Sequence, residues 1–283
     1  MAQPDFATNL GVGVGLRVPH LPHILEHNPS VDFFEIISEN FMVDGGPPLR
    51  NLQRILERYP VVQHGVSLSI ASADELDFDY LERLKELSKL TQTPWFSDHL
   101  CWSRTHSHHY HDLLPIPYTP EYATFVAEKA RIVQDFMELP FALENLSSYV
   151  EFEASTMTEW EFYAEVVERA GVYMMLDVNN VFVSANNHGF EPMEYLEHLP
   201  MDRVVQVHVA GHTELESGMF LDTHDKPVKP EVWELYAHVH EATGGVSTLL
   251  EWDDNFLSFE DTLAQAEVAR EYQLTRAGHE VTS

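Results

Sequence analysis

Eight histidine or acidic side chains recur at intervals of about one strand-plus-helix unit along this 283-residue chain. Six of them end short apolar runs, and the other two form an Asp-x-His pair after the seventh run. The eight are His64, His99, Glu144, Asp177, His208, Asp222, His224 and Glu251. Imidazole and carboxylate groups are ligands of iron, manganese and zinc, so the set predicts a metal site. Eight ligands exceed the needs of one ion, which predicts two or three ions, with Glu144 bridging two of them.

The elements that must position these side chains are eight apolar runs, typical of strands buried on both faces. The runs cover residues 12–16, 33–37, 61–64, 95–99, 141–144, 173–177, 204–208 and 247–251. Stretches that predict helices lie between and after them. The first, at 18–27, is crowded by Pro19 and Pro22, and amphipathic ones follow at 49–59, 78–90, 120–138, 158–170, 193–199, 232–241 and 259–272. Eight alternating units predict a (β/α)8 TIM barrel with its site at the carboxyl ends of the strands. A doubly wound open sheet is the alternative architecture.

Length and composition set the frame for this barrel. No composition shift marks a linker, so residues 1–283 are expected to form one domain, with the barrel core at about 11–275 and short tails. One cysteine, Cys101, excludes a disulfide framework, a zinc ribbon and a cysteine-ligated iron–sulfur cluster. The N-terminal segment has no secretory signal and no apolar run approaches ~20 residues, so a cytoplasmic location and no membrane contact are expected.

The charge balance bears on the partner. The chain has 16 basic and 46 acidic residues, and its formal charge is −30. Such a surface repels phosphate backbones, so nucleic acid is an unfavourable partner.

Several strings of residues resemble one known family along nearly the whole chain. They include Leu-Leu-Pro-Ile-Pro-Tyr at 113–118, Leu-Asp-Val-Asn-Asn at 176–180 and His-Val-Ala-Gly-His at 208–212. With these strings the chain resembles the methanobactin-type (MbnB-like) multinuclear iron oxidases, TIM-barrel enzymes that modify peptides. The resemblance implies two or three iron ions held by the eight residues above, and O₂ as co-substrate. It also implies a ribosomally made precursor peptide, modified at a Cys or near its C-terminus, and a small partner protein that binds the peptide's leader.

A more distant resemblance keeps other functions open. The ligand order is also similar to the trinuclear zinc site of TIM-barrel AP endonucleases, and sugar isomerases share this xylose-isomerase-like barrel class. The nuclease pattern has a histidine where this chain has Asn180. We therefore expect Asn180 to leave one coordination position more open, and His212 to act in proton transfer or to orient a ligand. A metal-binding role without catalysis is the third alternative.

Overall fold

The computed structural model describes residues 8–106 and 108–277, with side-chain surroundings described as far as residue 274. Within these residues the strands are β1 (Val12–Gly15), β2 (Phe34–Ile37), β3 (Val61–Gly65), β4 (Phe96–His99), β5 (Trp102–Thr105), β6 (His108–Leu114), β7 (Phe141–Glu144), β8 (Tyr173–Asp177), β9 (Val204–Val209), β10 (Thr213–Glu214), β11 (Phe220–Leu221) and β12 (Ser247–Leu250). Eight of them form a closed barrel in the order β1-β12-β9-β8-β7-β4-β3-β2, and every recorded pair is parallel. The predicted TIM barrel is confirmed, and the open sheet is excluded.

The helices of the described residues cover the barrel. They are α1 (Leu21–His27), α2 (Pro47–Leu56), α3 (Phe78–Thr91), α4 (Pro120–Met137), α5 (Glu159–Ala170), α6 (Val178–His188), α7 (Pro192–Glu197), α8 (Pro230–Thr243) and α9 (Phe259–Ala277). Side-chain caps begin several of them: the hydroxyl of Thr158 accepts from the Glu161 amide, and Glu161 reaches back to the Thr158 amide. None of the helices in the described part of the chain combines the length and the hydropathy needed to cross a bilayer.

Buried side chains fill the barrel interior on the amino-terminal side of the predicted site. One buried cluster contains Phe33, Val62, Trp95, Ala142, Met175, Val205 and Leu249. Residues two apart on a strand share a face, so Val62, Ala142 and Met175 lie on the face that carries His64, Glu144 and Asp177 two positions later. Apolar packing therefore fills much of the barrel below the strand ends, and Gln206, which lies two positions before His208 and accepts from Trp95, is a buried polar side chain in this interior.

Three elements were not predicted. Helix α6 starts directly at the end of β8, and two hairpins, β5–β6 and β10–β11, stand above the barrel. These insertions shape the rim around the strand ends, because Asp112 and Leu113 of β6 line the central cavity.

Candidate metal centre

The first group of predicted ligands consists of His64, His99 and Glu144, which are buried at the ends of β3, β4 and β7. Oε2 of Glu144 lies 3.3 Å from Nε2 of His64 and 3.0 Å from Nε2 of His99. Both imidazoles are oriented from behind: Nδ1 of His64 lies 2.9 Å from the Ser97 hydroxyl, and Nδ1 of His99 donates to the Gly65 carbonyl. The Nε2 atoms of both rings are thus aimed at one carboxylate oxygen, which is how imidazoles are commonly held for a metal ion.

The second group shares Glu144 with the first and adds Asp177, His208 and Glu251. Nδ1 of His208 lies 3.5 Å from Oε1 of Glu144 and 3.1 Å from Oε2 of Glu251. The two oxygens of Glu144 therefore face different imidazoles. A carboxylate in this position can bridge two neighbouring ions.

The third group shares Glu251 with the second and adds His224 and Asp253. Nδ1 of His224 lies 3.3 Å from Oε2 of Glu251 and 3.2 Å from Oδ2 of Asp253. On the other side of the ring, Nε2 of His224 lies 2.6 Å from Oδ1 of Asp222. The structure thus brings seven of the eight predicted side chains into three overlapping groups joined by Glu144 and Glu251, and the eighth, Asp222, contacts His224 of the third group.

Oε2 of Glu144 and two further buried oxygens at this mouth make no hydrogen bond. Asp177 accepts from the Asn180 amide with Oδ1, while its Oδ2 has no hydrogen-bond partner. Asn180 donates from Nδ2 to the Asn145 carbonyl, while its own Oδ1 is also unpartnered. Burying a polar atom without a partner costs free energy, and a bound cation would relieve that cost at these oxygens.

The mouth of the barrel carries an excess of negative charge. Six carboxylates converge here, from Glu35, Glu144, Asp177, Asp222, Glu251 and Asp253. Arg17 is the basic side chain that contacts them, lying 3.5 Å from Glu251 and closer to Asp253. A buried cluster of this kind needs protons or cations for neutrality.

The pKa shifts of the residues at the mouth also reflect this excess of buried negative charge. Burial and the charge of Asp222 raise the pKa of Asp177 well above its ordinary value. Burial would raise the pKa of Glu144 as well, but the His99 and His64 imidazoles outweigh burial and lower it. Burial would lower the pKa of His99, yet Glu144 raises it to about 9. The raised pKa values of His99, His208 and His224 place positive charge where the donor set would accept metal ions, whereas burial lowers the pKa of His64. The residues present therefore fit such ions.

Most of the eight predicted ligands line a common space, the mouth cavity, of about 280 Å³. The predicted residues on its wall are His64, His99, Glu144, Asn180, Asp222, His224 and Glu251. Asp177 and His208 are fully buried and do not line this cavity. Ser147, Tyr149 and hairpin β5–β6 contribute to the rim, so a substrate that enters between them passes an aromatic side chain.

His212, predicted as an acid–base or ligand-orienting residue, is not among the side chains on the wall of the mouth cavity. It is buried, and its ring stacks on Phe220 with centroids 4.7 Å apart. Its Nδ1 lies 2.7 Å from Oδ1 of Asn179, and Asn179 donates to Asp222 at 2.7 Å. His212 is thus linked to Asp222 through Asn179, a position that suits the predicted ligand-orienting role better than direct proton transfer.

Two acidic residues of the site were missed by the sequence analysis. Glu35 lies inside β2 and its Oε2 is 3.1 Å from Nε2 of His208. Gln206 donates to the same Glu35 oxygen at 2.5 Å, and Trp95 donates to Gln206 at 3.0 Å. Asp253, the second, lies two residues beyond Glu251. A carboxylate inside an otherwise apolar strand was the signal available for Glu35.

Fold and site together define a TIM barrel with a candidate multinuclear metal centre at the carboxyl ends of its strands. Solved barrels with this fold include a D-tagatose 3-epimerase-like protein (TM-score 0.61, 16% identity, 95% of this chain and 99% of that chain). Endonuclease IV from Thermus thermophilus is another (TM-score 0.60, 16% identity, 94% and 98%). At these identities the likeness shows the fold alone.

Sequence comparison identifies the family. The profile described as "RiPP precursor modification enzyme MbnB/TglH/ChrH" matches residues 11–274, and the chain belongs to this family. A UPF0276 protein of Caulobacter vibrioides (strain NA1000 / CB15N) is 48% identical over 261 residues, 92% of this chain and 93% of the relative. One from Anaeromyxobacter sp. (strain Fw109-5) is 50% identical over 246 residues, 87% of each chain. The resemblance inferred from the sequence motifs is confirmed.

Proposed function

We propose that this protein is an iron- and O₂-dependent oxidase that modifies a ribosomally synthesised precursor peptide, at a Cys or near its C-terminus. The observation that carries the proposal is the pair of shared carboxylates, Glu144 and Glu251. Each faces imidazoles of two adjacent groups, which suits two or three neighbouring ions. Membership of a family of peptide-modifying enzymes supports the same reaction class.

The donor set suits iron, because it combines imidazoles with hard carboxylate oxygens and contains no thiolate. When bound, iron supplies sites for O₂ and for a substrate thiolate, and the redox change for the oxidation. In this proposal His64, His99 and Glu144 hold the first ion, and Asp177, His208 and Glu251 join Glu144 around the second. The donors for the third position surround His224: Asp222 faces one ring nitrogen, and Glu251 and Asp253 face the other. Asn180 adds a neutral oxygen on the wall of the same cavity.

The remaining residues of the mouth would orient the peptide and hold the ligands still. Glu35 fixes His208 from behind, and Asn179 with His212 fixes Asp222. The Tyr149 hydroxyl accepts from the Asp222 amide at 3.0 Å, so an entering peptide would pass a side chain coupled to a ligand. Affinity for the peptide would come largely from the leader-binding partner, which raises the effective concentration of the peptide at the mouth.

The test measures metal and oxygen together. Protein purified without O₂ is expected to contain two or three iron ions per chain. It is expected to consume O₂ with its cognate precursor peptide, and faster with the partner protein. A peptide with Ser in place of each Cys is the matched substrate control and should support less uptake. At most one transition metal per chain, or O₂ uptake that ignores the peptide, would contradict the proposal.

A zinc nuclease is the second candidate, because endonuclease IV shares the fold. The charge of −30 and the amide at position 180 oppose it. We expect no cleavage of abasic DNA by the iron- or zinc-loaded protein, and no epimerisation of ketose sugars. Cleavage at micromolar protein would favour the nuclease over the oxidase.

A further inference from the structure

A second cavity, of about 370 Å³, lies beside the mouth and is not used by the proposed chemistry. We call it the side cavity. Ser148 and Val150 line it, whereas Ser147 and Tyr149 of the same segment line the mouth cavity. The two cavities therefore lie on opposite sides of one stretch of backbone. A volume of this size is in the range of pockets that hold small ligands or side chains.

The walls of the side cavity are aromatic. They include Tyr118, Phe152, Trp160 and Phe190, and the rings of Trp160 and Phe190 lie 5.2 Å apart between centroids. The faces of such rings carry negative electrostatic potential and attract cations, guanidinium groups in particular.

Its charges are acidic. Glu151 and Glu159 line the side cavity together with His188, whose Nδ1 lies 3.7 Å from Glu151, and the described side chains around it include no Lys or Arg. Glu159 accepts from the Tyr195 hydroxyl at 3.0 Å and from Tyr118. An ionised carboxylate has about four acceptor positions, so two hydrogen bonds leave capacity for a further donor. Burial raises the pKa of Glu159 to about 7, and a bound cation would offset that cost.

The segment between the cavities exposes apolar surface. Tyr149, Val150 and Phe152 have exposed fractions of 39%, 54% and 39%. Three neighbouring apolar side chains in such positions are typical of a surface that a partner covers. A peptide that reaches from one cavity to the other would cover these side chains.

We propose that the side cavity binds the guanidinium group of an arginine that flanks the modified residue in the peptide substrate. The identity of the occupant rests on the proposed function, because only a peptide-modifying role makes the ligand a peptide. Glu159 pairs with the guanidinium, the aromatic rings stack on it, and Tyr149 and Val150 support the intervening backbone. The acidic surface of the whole chain, at −30, favours the approach of such a cationic segment.

The test uses two probes that differ in one charge: N-acetyl-arginine N-methylamide and its neutral isostere, N-acetyl-citrulline N-methylamide. Both are titrated calorimetrically into the full-length protein as purified. We expect saturable binding of the arginine probe with a Kd on the order of 1 mM and about tenfold weaker binding of the citrulline probe. Equal affinity for the two probes, or no saturation by arginine at ~20 mM, would overturn the proposal.

Variants locate the binding. Glu159→Gln should weaken the arginine probe about tenfold, whereas Glu168→Gln, an exposed position on the same helix, should leave its Kd unchanged. Phe152→Ala removes an exposed wall residue and should weaken the probe severalfold even if Glu159→Gln does not fold. Retained affinity in Phe152→Ala and Glu159→Gln would place the probe elsewhere. The titration needs neither iron nor O₂, so failure of the oxidase proposal and failure of this proposal are separate results.

Discussion

Glu144→Gln should remove two ions, whereas Asp222→Asn should remove one. In the structure Oε2 of Glu144 faces His64 and His99, while its Oε1 faces His208. The neutral amide of Gln keeps the shape but has one weaker oxygen, so both groups lose an anionic ligand. Among the imidazoles of the three groups, Asp222 contacts only that of His224. Replacing Asp222 should therefore weaken ion binding at the third group alone.

The size of the effect follows from linkage between ion binding and unfolding. An ion at ~100 times its Kd stabilises the folded chain by about 2.7 kcal/mol. The unfolding entropy of 283 residues, at ~2.1 cal/mol/K per residue, is about 0.6 kcal/mol/K. Each ion therefore raises Tm by ~4–5 °C. Relative to loaded wild type, Glu144→Gln should lose ~9 °C and Asp222→Asn ~4–5 °C of the metal-dependent increase.

The assay compares Tm with and without chelator for the three proteins, with metal content measured on the same samples. Zn²⁺ or Mn²⁺ can replace iron when the scan is made in air, because the same ligands bind them. The chelated proteins provide the control for effects of each substitution on the fold itself. Equal losses of metal and of Tm increase in the two variants would refute Glu144 as a bridge.

Three further predictions address the surroundings of the mouth. Asn180→His should tighten the third ion and lower O₂ uptake, so unchanged metal content and unchanged turnover together would contradict the role given to Asn180. Glu35→Gln should weaken metal binding ~10–100-fold by loosening His208, measured by competition with a chelator, whereas Glu168→Gln should not. The raised pKa of Glu159, about 7, means that its proton is held more tightly in the folded chain than in the unfolded chain. Its contribution to stability is present below the unfolded pKa of ~4.3 and is lost as the pH rises through 7, so Glu159→Gln should flatten this part of the pH profile of urea unfolding.

The barrel could be predicted from the sequence because its strands are apolar on both faces. Each predicted run overlaps an observed barrel strand, and the strand-end residues His99 and Glu144 are paired in register. Helix α6 was missed because its sequence, Val-Asn-Asn-Val-Phe-Val-Ser-Ala-Asn-Asn-His, consists largely of weak helix formers and follows β8 without a loop. Hairpin β5–β6 was missed because β6 is largely exposed and His-rich, and such a stretch is also typical of a solvated loop.

The candidate site was predictable to the extent that its residues end strands. The barrel geometry converts regular spacing along the chain into proximity, so the eight strand-end and loop residues meet. Glu35 escaped this rule because it lies within β2 and reaches the site through His208. The position of His212 could not be predicted, because Phe220, on which it stacks, belongs to an unpredicted hairpin.

The contacts of Asp177 bear on whether the candidate metal site forms before or after an ion binds. Its Oδ1 caps helix α6 through the Asn180 amide, and the same side chain ends β8. The direction of the free Oδ2 is thereby set when strand and helix form, before an ion arrives. Little conformational entropy then remains to be lost on ion binding. We therefore expect ions to bind to a site that is already formed. The helix content should not change when metal is added back to the chelated protein.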